Sequence, residues 1–367
     1  MRTRSANCFI RSAMLLCLAG LVLVGCSASR RAAVLTPGSS EAAGIYWPTK
    51  GWRTSTPEAQ GMDSQQLASM LKAAKQETLD LHSLLIIRNG YIVSETYFRS
   101  YNKGTRHPQY SCTKSFISTL LGIAIDKGYI DGIELPVLGF FPDLAVQNRD
   151  ERKEAITVAD LLTMRSGLDW QESDAAYGEM YRSGDWVKFM LDKPMVELPG
   201  LRFNYCSGCS HVLSAIIQQE TGQNTRDFAR KTLFEPLGIT QVDWELDAAG
   251  IAIGGWGLQI TPRDMAKLGH LYLNKGLWDG QQIVSAEWVQ AATQKYTETD
   301  SKIGFGYGYQ WWIYPSFSAY TAQGRYGQTI FVAPDQNLVV VTTAQVDEHD
   351  ALFRLIEQYV IPAIKQP

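Results

Sequence analysis

The spacing of apolar and polar positions changes along the chain, and the first change comes early. Asp63-Ser64 precedes apolar residues at positions 67, 70, 71 and 74, a spacing that predicts a capped amphipathic helix. The apolar runs 84–88 and 91–97 then flank Asn89-Gly90, a dipeptide typical of two-residue turns. The pattern therefore predicts a helix followed by an antiparallel hairpin.

Further along, apolar positions from Ser111 to about Glu245 recur mostly with helical spacing, and strand patterns return near the C-terminus. We predict strands at 309–314, 329–333 and 338–343, and a closing helix at 352–364. Strands at both ends with helices between them predict an α/β fold of the α+β type, in which one antiparallel sheet is built from both ends. The predicted organisation is a sheet-containing domain from 46–110 and 246–367, a mostly helical domain at 111–245, and a cleft between them.

A serine and a lysine stand where a polar segment becomes apolar, in the sequence Tyr110-Ser111-Cys112-Thr113-Lys114. The apolar run after them predicts the start of a buried helix. Residues three apart lie about one helical turn apart, so we expect Ser111 and Lys114 side by side on one face. A desolvated lysine with a lowered pKa can take the proton of a serine hydroxyl, and the helix N-terminus adds positive charge where an oxyanion would form.

The Ser-x-x-Lys spacing alone is weak evidence, because it is expected about once by chance in a chain of this length. Ser69 and Lys72 match the same spacing within the predicted amphipathic helix. Their mid-helix position predicts a solvated face, so this second match serves as an internal control.

The first 25 residues have the composition of an export signal. Three arginines precede an apolar run from Ala13 to Gly25, which is too short to span a bilayer comfortably. We predict a signal peptide at 1–25 and a flexible tether at 26–45.

The apolar run ends at Gly25-Cys26, which resembles a bacterial lipobox. That resemblance implies cleavage that leaves Cys26 as a lipid-modified N-terminus. Ser27 at the next position favours the outer membrane, with the globular part in the periplasm. The alternative is an ordinary secretory signal with a chance cysteine.

Charge and motif content disfavour several partner classes. The chain carries 34 Lys and Arg against 37 Asp and Glu, a net charge of −3, so nothing points to nucleic acid. The glycines from Gly304 to Gly308 have aromatic spacers and lack a following Lys-Ser/Thr, which disfavours a phosphate loop. None of the five histidines lies in a metalloprotease motif. We therefore predict no nucleic-acid partner, no cofactor and no metal.

Three cysteines remain once the predicted signal peptide and the lipidated residue are set aside: Cys112, Cys206 and Cys209. An odd number leaves at least one thiol unpaired. Cys206-x-x-Cys209 has no second pair with which to hold zinc. We expect free buried thiols, with a Cys206–Cys209 disulfide as the alternative.

A further candidate for the cleft is Tyr205, which comes just before a predicted helix that contains Val212 and Ile216. That position can project a phenol into a cleft, although a core tyrosine would show the same pattern. A long irregular stretch that contains Trp170 and Tyr177 precedes it, and this stretch is either a lid over the cleft or a packed surface excursion.

Three motifs now stand in order: Ser111-x-x-Lys114, Tyr205-x-Ser207, and a segment from Gly324 to Gln328 that opens a predicted strand. This order resembles the penicillin-recognising serine hydrolases, in the branch of class C β-lactamases, D-alanyl-D-alanine carboxypeptidases and related esterases. The likeness covers about residues 50–365. The Ser-Cys-x-Lys and Tyr-x-Ser motifs are most similar to those of 6-aminohexanoate-dimer hydrolases.

The resemblance implies a β-lactamase/transpeptidase-like fold and acyl-enzyme chemistry. Ser111 would attack a carbonyl with Lys114 and Tyr205 as general base and acid, and water would then hydrolyse the acyl-enzyme. The backbone N–H groups of Ser111 and Gln328 would form the oxyanion hole. Gly327, which has no side chain, would let the substrate approach the strand edge closely.

Two departures from the family pattern affect substrate choice. Ser207 replaces an asparagine usual in β-lactamases, which shortens a side chain expected to contact a substrate amide. Arg325 stands where many relatives have Lys or His, and strand alternation places it on one face with Gly327. Arg325 then either pairs with a substrate carboxylate or is a solvated strand-end arginine. Both departures disfavour efficient β-lactam hydrolysis.

Two function classes follow from this resemblance. The first is a hydrolase of small amides or esters. The second is a penicillin-binding-like module that is acylated with little or no turnover. The presence of Ser111, Lys114 and Tyr205 together favours the hydrolase.

Overall fold

The computed structural model describes residues 46–347 and 349–365. The predicted signal peptide, the lipidation site Cys26 and the tether lie outside the described residues. The helices are α1 (Ser64–Gln76), α2 (Thr113–Asp126), α3 (Glu151–Glu154), α4 (Val158–Leu162), α5 (Asp174–Ser183), α6 (Trp186–Leu191), α7 (Ser207–Thr221), α8 (Thr225–Ala229), α9 (Pro262–Leu273), α10 (Ala286–Ala292) and α11 (Asp350–Leu355). The strands are β1 (Leu81–Arg88), β2 (Tyr91–Tyr97), β3 (His107–Pro108), β4 (Asp243–Trp244), β5 (Leu258–Ile260), β6 (Leu277–Trp278), β7 (Gln281–Gln282), β8 (Thr297–Glu298), β9 (Gly306–Tyr307), β10 (Trp312–Ile313), β11 (Tyr320–Gly324), β12 (Gln328–Ala333) and β13 (Leu338–Ala344).

Eight of these strands form one antiparallel sheet in the order β2-β1-β13-β12-β11-β10-β9-β8. Strand β1, from the start of the described chain, pairs with β13 near its end over a register that runs from Leu81–Ala344 to Arg88–Leu338. Helices α2 to α8 lie between these two contributions in sequence. The predicted fold class, one antiparallel sheet with a mostly helical segment inserted, is confirmed.

The hairpin of β1 and β2 forms where the sequence predicts it. Its turn residues Asn89 and Gly90 have φ values of 51° and 80°, the left-handed conformation that a two-residue turn of this kind requires. The preceding helix α1 begins after Asp63, whose side chain accepts hydrogen bonds from the backbone N–H groups of Gln65 and Gln66. Both early predictions are therefore confirmed.

The sheet is covered on both faces, which explains why β13 is buried along its whole length. All seven residues of β13 are buried, and successive residues point to opposite faces. Leu338 and Val340 pack in the cluster that includes Met70 of α1, whereas Val339 and Val341 pack in the larger cluster under α2, α7 and α9. A central strand between two helical layers buries both of its faces, so it is largely apolar, and the two threonines of β13 have hydrogen-bond partners in Gly327 and Ser83.

Three local features differ from the sequence prediction. Strand β11 was not predicted, and the strand expected at 309–314 is limited to Trp312–Ile313. The stretch that contains Trp170 and Tyr177 is not irregular throughout, because it includes α5 and α6. The described residues belong to one compact unit, and the division into two domains stays an interpretation of the sequence. None of the described helices combines the length and apolarity needed to cross a bilayer.

Candidate active site

Ser111 lies in a 3-10 turn, Tyr110–Cys112, which leads directly into α2. Every residue of α2 from Thr113 to Ala124 is buried, so surrounding elements hold the helix on all sides. Tyr110 has a φ of 45°, which is uncommon for a residue other than glycine and costs local backbone energy. The chain therefore bends sharply before Ser111 and presents it, half-buried, at the start of a fixed helix.

Lys114 is almost fully buried, with 1% of its surface exposed. Its ammonium group donates to Ser111 Oγ at 2.9 Å, to Ser207 Oγ at 2.9 Å and to the carbonyl oxygen of Gly255 at 2.8 Å. Burial lowers the pKa of Lys114 to about 8, and the negative charge of Glu172 acts in the opposite direction. Lys114 thus combines three satisfied hydrogen bonds with a proton that it releases near neutral pH.

The control pair in α1 is arranged differently. Ser69 and Lys72 are both exposed, and the Ser69 hydroxyl donates to the carbonyl oxygen of Gln65 within its own helix. The prediction of a solvated face is confirmed for this second Ser-x-x-Lys match.

Tyr205 lies beside Lys114, whose ammonium group is 4.8 Å from the centre of the tyrosine ring. The ring stacks on Trp312 with a centroid distance of 5.6 Å and meets Tyr307 edge-on. Burial raises the pKa of the Tyr205 phenol well above its usual value, the charge of Glu172 adds to this, and the Ser111 side chain acts in the opposite direction. The phenol is therefore a protonated group held against Ser111 and Lys114.

Ser207, the first residue of α7, is fully buried and bridges Lys114 to Glu172. Its hydroxyl accepts a hydrogen bond from Lys114 and donates one to a carboxylate oxygen of Glu172. The Tyr177 hydroxyl also donates to that carboxylate and lies 3.0 Å from Ser207 Oγ. The predicted contact between Ser207 and a substrate amide is not what the structure shows, because the short side chain is enclosed within this network.

The residue between Tyr205 and Ser207 is part of a disulfide. Cys206 is bonded to Cys209, with their Cα atoms 5.2 Å apart, which is within the usual range for bridged cysteines. The expectation of free thiols at these positions is wrong, since the first turn of α7 brings the two side chains together. Cys112 is a free, buried cysteine, and burial raises the pKa of its thiol.

The third motif lies differently from the prediction. Residues Arg325–Gly327 form a tight turn between β11 and β12, with a φ of 65° at Tyr326, so the alternation expected for a strand does not apply. Gly327 packs against the core: a Cβ there would lie 2.7 Å from Leu352 Cδ1. Gln328 is buried, and its side-chain amide donates to the carbonyl oxygens of Arg325 and Ala344. The structure therefore does not bring Gly327 and Gln328 to the Ser111 cleft.

The glycine that does approach the serine turn is Gly324, the last residue of β11. A Cβ there would lie 2.1 Å from the carbonyl oxygen of Gln109 and 3.2 Å from the backbone nitrogen of Cys112. Its backbone is extended, with a φ of −129°, so this position needs glycine for space rather than for conformation. The end of β11 is thereby pressed against the turn that carries Ser111.

An open cleft of about 390 Å³ joins these groups. It is lined by Ser111, Glu172, Tyr177, Tyr205, Trp312, Gly324, Arg325 and His349, among others. A second cavity of about 670 Å³ adjoins it and shares Glu172, Tyr205 and Trp312 as lining residues. Arg325 is exposed in the cleft and forms no salt bridge with a carboxylate of residues 46–347 or 349–365. Among the described side chains, no group of three or more His, Cys, Asp or Glu is placed to hold a metal ion.

Sequence reasoning missed Glu172, Gly255 and Gly324. Glu172 stands in a loop, and no spacing rule connects it with Ser207. Gly255 contributes a backbone carbonyl, which any residue type could supply. Gly324 belongs to the third motif, but the sequence prediction gave it no role of its own. A predicted strand that ended at Gly324, instead of one that began after Gly327, would have identified it.

Comparison with known proteins places these features in a family. The family model described as Beta-lactamase matches residues 58–360, which is most of the chain. The 6-aminohexanoate-dimer hydrolase of Paenarthrobacter ureafaciens is 27% identical over 285 residues, covering 71% of each protein.

Solved structures share the fold at lower sequence identity. A penicillin-binding protein homologue from Pyrococcus abyssi superimposes with a TM-score of 0.64 and 20% identity, covering 82% of this chain and 78% of its own. A family VIII carboxylesterase superimposes with a TM-score of 0.65 and 17% identity, covering 81% and 96%. At these identities the likeness establishes the fold alone.

Proposed function

The chain belongs to the beta-lactamase family, and within it we propose a serine hydrolase that cleaves small amide or ester bonds through an acyl-enzyme on Ser111. One observation carries this proposal: the buried amine of Lys114 lies 2.9 Å from Ser111 Oγ, and burial lowers its pKa to about 8. Roughly a tenth of such a lysine is neutral at pH 7. That fraction can remove the serine proton and activate the nucleophile.

In the proposed acylation step, the Ser111 O–H bond breaks as Lys114 takes the proton and the Ser111 oxygen bonds to the substrate carbonyl carbon. Tyr205 is a poor first base, because its raised pKa keeps the phenol protonated. Its role is that of a general acid: it gives its proton to the leaving amine or alcohol and is reprotonated from Lys114. Water then attacks the acyl-enzyme, releases the acid product and returns a proton to Ser111.

We place the oxyanion hole at the backbone N–H groups of Ser111 and Arg325. Arg325 follows Gly324, whose close packing on the serine turn holds the end of β11 against it, and both Ser111 and Arg325 line the same cleft. Gln328, predicted from the sequence for this role, is buried against Cys112 and does not line that cleft. Two backbone donors beside the nucleophile would stabilise the charge that develops on the carbonyl oxygen.

The proposed substrates are linear amides and simple esters. The curated relative is named for hydrolysis of a 6-aminohexanoate dimer, and a structural neighbour is named as a carboxylesterase. The exposed guanidinium of Arg325 supplies a charge that suits a substrate carboxylate. The enclosed Ser207, in place of a longer amide side chain, does not favour β-lactams.

The test is a substrate panel combined with covalent labelling of the purified mature protein. The panel contains p-nitrophenyl esters, a linear 6-aminohexanoate dimer, a D-Ala-D-Ala peptide and nitrocefin. We expect turnover of an ester or the linear amide, and loss of both turnover and fluorophosphonate labelling in Ser111→Ala. Ser69→Ala should be labelled like the wild type. Labelling that persists in Ser111→Ala would overturn the proposal, and labelling without turnover of any panel member would favour the penicillin-binding-like alternative.

A further inference from the structure

Glu172 is the end of a hydrogen-bonded chain that begins at the proposed nucleophile. Ser111 Oγ accepts from Lys114, Lys114 donates to Ser207 Oγ, and Ser207 donates to Glu172. Each link is a direct hydrogen bond between side chains. The two ends of this hydrogen-bonded series, Ser111 and Glu172, line the open cleft. The two residues between them, Lys114 and Ser207, are buried.

Four hydrogen-bond donors converge on the carboxylate of Glu172. Trp170 Nε1 donates to one carboxylate oxygen at 2.6 Å, and the backbone N–H of Ser207 donates to the same oxygen at 3.1 Å. The hydroxyl groups of Ser207 and Tyr177 donate to the other oxygen. An indole N–H and a backbone N–H cannot accept a hydrogen bond. Four donors on one side chain therefore match an ionised carboxylate, which can accept from all of them.

The Ser207 hydroxyl transmits this charge because it has a single proton. That proton points to Glu172, so a lone pair of the oxygen must face Lys114. A lone pair facing the lysine is an acceptor for an N–H bond of the ammonium form. The neutral amine keeps two N–H donors for Ser207 and Gly255 and turns its lone pair to Ser111, but it carries no charge, so only the ammonium form is stabilised by the Glu172 carboxylate behind Ser207.

We propose that Glu172, acting through the Ser207 hydroxyl, holds Lys114 in its ammonium form and so sets the pH at which Lys114 becomes a base. Glu172 touches neither the substrate nor the reacting atoms in this scheme and is a positioning residue. The inference deepens the proposed function, because it concerns the base of the same reaction. It also explains how a lysine buried among aromatic rings keeps a pKa of about 8 rather than a much lower one.

Other titratable groups in the cleft do not offer the same control. Tyr205 and Tyr177 both have a pKa raised by burial, as does Tyr307 of β9. Cys112 of the serine turn has a raised pKa as well. Arg325 contributes a positive charge to the cleft wall. His349, on the far wall, has a pKa lowered by burial, and its Nε2 accepts from the Gly327 N–H rather than from any member of this chain.

The inference is tested by titrating Lys114 directly, which requires no catalysis. The mature protein is labelled with ¹³C at lysine Cε, and the Lys114 signal is identified by its loss in Lys114→Ala. We expect a midpoint near pH 8 in the wild type. In Glu172→Gln the Lys114 midpoint should fall by about 1–3 pH units, the usual effect of losing a nearby opposite charge. Glu172→Asp should restore part of the shift.

Asp169→Asn is the matched control, because it removes one carboxylate from the same loop without touching Ser207. Asp169 is exposed, and its removal should leave the Lys114 midpoint where it is in the wild type. Ser207→Ala removes the bridging hydroxyl while Glu172 stays, so it should also lower the midpoint. The double variant Glu172→Gln/Ser207→Ala should be lowered by less than the sum of the two single effects, since both act through one chain.

A folded Glu172→Gln protein with an unchanged Lys114 midpoint would overturn the inference. If Glu172→Gln does not fold, Ser207→Ala decides: a lowered midpoint supports the chain and an unchanged one overturns it. The result is separable from the proposed function. A Lys114 that titrates as described in a protein with no hydrolase activity would refute the function alone. In an active enzyme, the acid limb of kcat/KM should move in parallel with the Lys114 midpoint.

Discussion

Gly324 packs so closely on Gln109 that no side chain fits between them: a Cβ on Gly324 would lie 2.1 Å from the Gln109 carbonyl oxygen. That carbonyl also accepts the backbone N–H of Cys112 at 3.1 Å, which closes the turn around Ser111. The contact therefore joins the end of β11 to the turn that carries the nucleophile. It fixes the distance between the two backbone segments that we propose as the oxyanion hole.

Gly324→Ala should separate these two segments. We expect kcat/KM to fall by about 10²-fold, the usual effect of a displacement of about 1 Å at a reacting group. The added methyl group should also cost about 1–3 kcal/mol of unfolding free energy, because the backbone on both sides must shift. Steady-state kinetics and denaturant unfolding measure the two effects.

Gly139→Ala is the control for this substitution. Nothing lies within 4 Å of a Cβ at Gly139, and its φ is not positive, so neither activity nor stability should change appreciably. An active Gly324→Ala enzyme with wild-type kcat/KM would show that the spacing of β11 and the serine turn is not critical.

The activity of the wild-type protein should rise with pH. Lys114 acts as a base only when neutral, and burial lowers its pKa from the ordinary value of a lysine to about 8. Below that pH the ammonium form dominates, so log kcat/KM should increase with a slope near one up to about pH 8 and then level off. A profile measured with a neutral ester, whose own charge does not change, tests this. A flat profile between pH 6 and pH 9 would contradict a lysine base.

The sequence was informative wherever one local rule determined the structure. The Asn89-Gly90 turn and the Asp63 cap follow from backbone preferences of those residues, and both elements formed as predicted. The pairing of Ser111 with Lys114 follows from helix periodicity and the apolar run that buries α2. In each case the controlling residues lie within a few positions of one another.

The third motif was misplaced because its strand has a weak signal. Strand β11 is the short run Tyr320–Gly324, with Thr321 and Gln323 among its five residues. It lacks the apolar runs of β12 (Ile330 to Ala333) and β13 (Leu338 to Val341), so the sequence places the motif at the start of β12. The error moved the predicted contact from Gly324 to Gly327. Pairing with β10 and β12 and the close approach to Gln109 define this strand.

Glu172 and the disulfide could not be predicted for a related reason. The Glu172 carboxylate meets Ser207 only because α7 and the preceding loop pack together, which is a tertiary contact over 35 positions. The Cys206–Cys209 bond depends on how the first turn of α7 is wound. Sequence spacing permits both arrangements without requiring either.

Gln310 should stabilise the packing of α2, α4 and α7, because it forms hydrogen bonds with residues of all three helices. Its side-chain amide donates to the carbonyl oxygens of Leu161 and Leu162, its side-chain oxygen accepts from Ser210, and its backbone carbonyl accepts from Ser115. Gln310→Leu would remove three buried hydrogen bonds, to Leu161, Leu162 and Ser210, which should lower the free energy of unfolding by about 2–4 kcal/mol. Denaturant unfolding measures the loss.

Gln345→Leu is the matched control for Gln310→Leu. Gln345 is exposed, so the same substitution there should change the unfolding free energy by less than about 0.5 kcal/mol. Equal losses of unfolding free energy in Gln310→Leu and Gln345→Leu would contradict a stabilising role for the buried Gln310 amide.

The lipid anchor predicted at Cys26 lies outside the described residues and stays a prediction. Cys26→Ala should move the protein from the membrane fraction to the soluble fraction, because the short apolar run and its arginines cannot anchor the chain durably by themselves. Fractionation of cells followed by a carbonate wash measures this. A Cys26→Ala protein that still sediments with membranes after the wash would exclude the lipoprotein interpretation.

Tyr205→Phe distinguishes a general acid from a core tyrosine. The substitution keeps the ring that stacks on Trp312 and lies over Lys114 and removes only the hydroxyl. If that hydroxyl protonates the leaving amine, kcat on an amide should fall by about 10²–10⁴-fold with KM little changed. Lys114→Ala should be impaired to a similar degree, and the double variant should be little worse than either, because groups that act as one unit are not additive.

The leaving group sharpens the prediction for Tyr205→Phe. A p-nitrophenolate departs without a proton, so acylation by a p-nitrophenyl ester should be affected much less than acylation by an amide. Single-turnover measurements separate acylation from hydrolysis of the acyl-enzyme.

Tyr314→Phe is the control, since the Tyr314 hydroxyl bonds to Glu357 and lies outside the Ser111 cleft. This variant should retain wild-type rates on both substrates. Equal losses on ester and amide in Tyr205→Phe would point to a role in positioning Ser111. A kcat on the amide within about threefold of the wild type would remove Tyr205 from proton transfer and leave Lys114 to carry the proton alone.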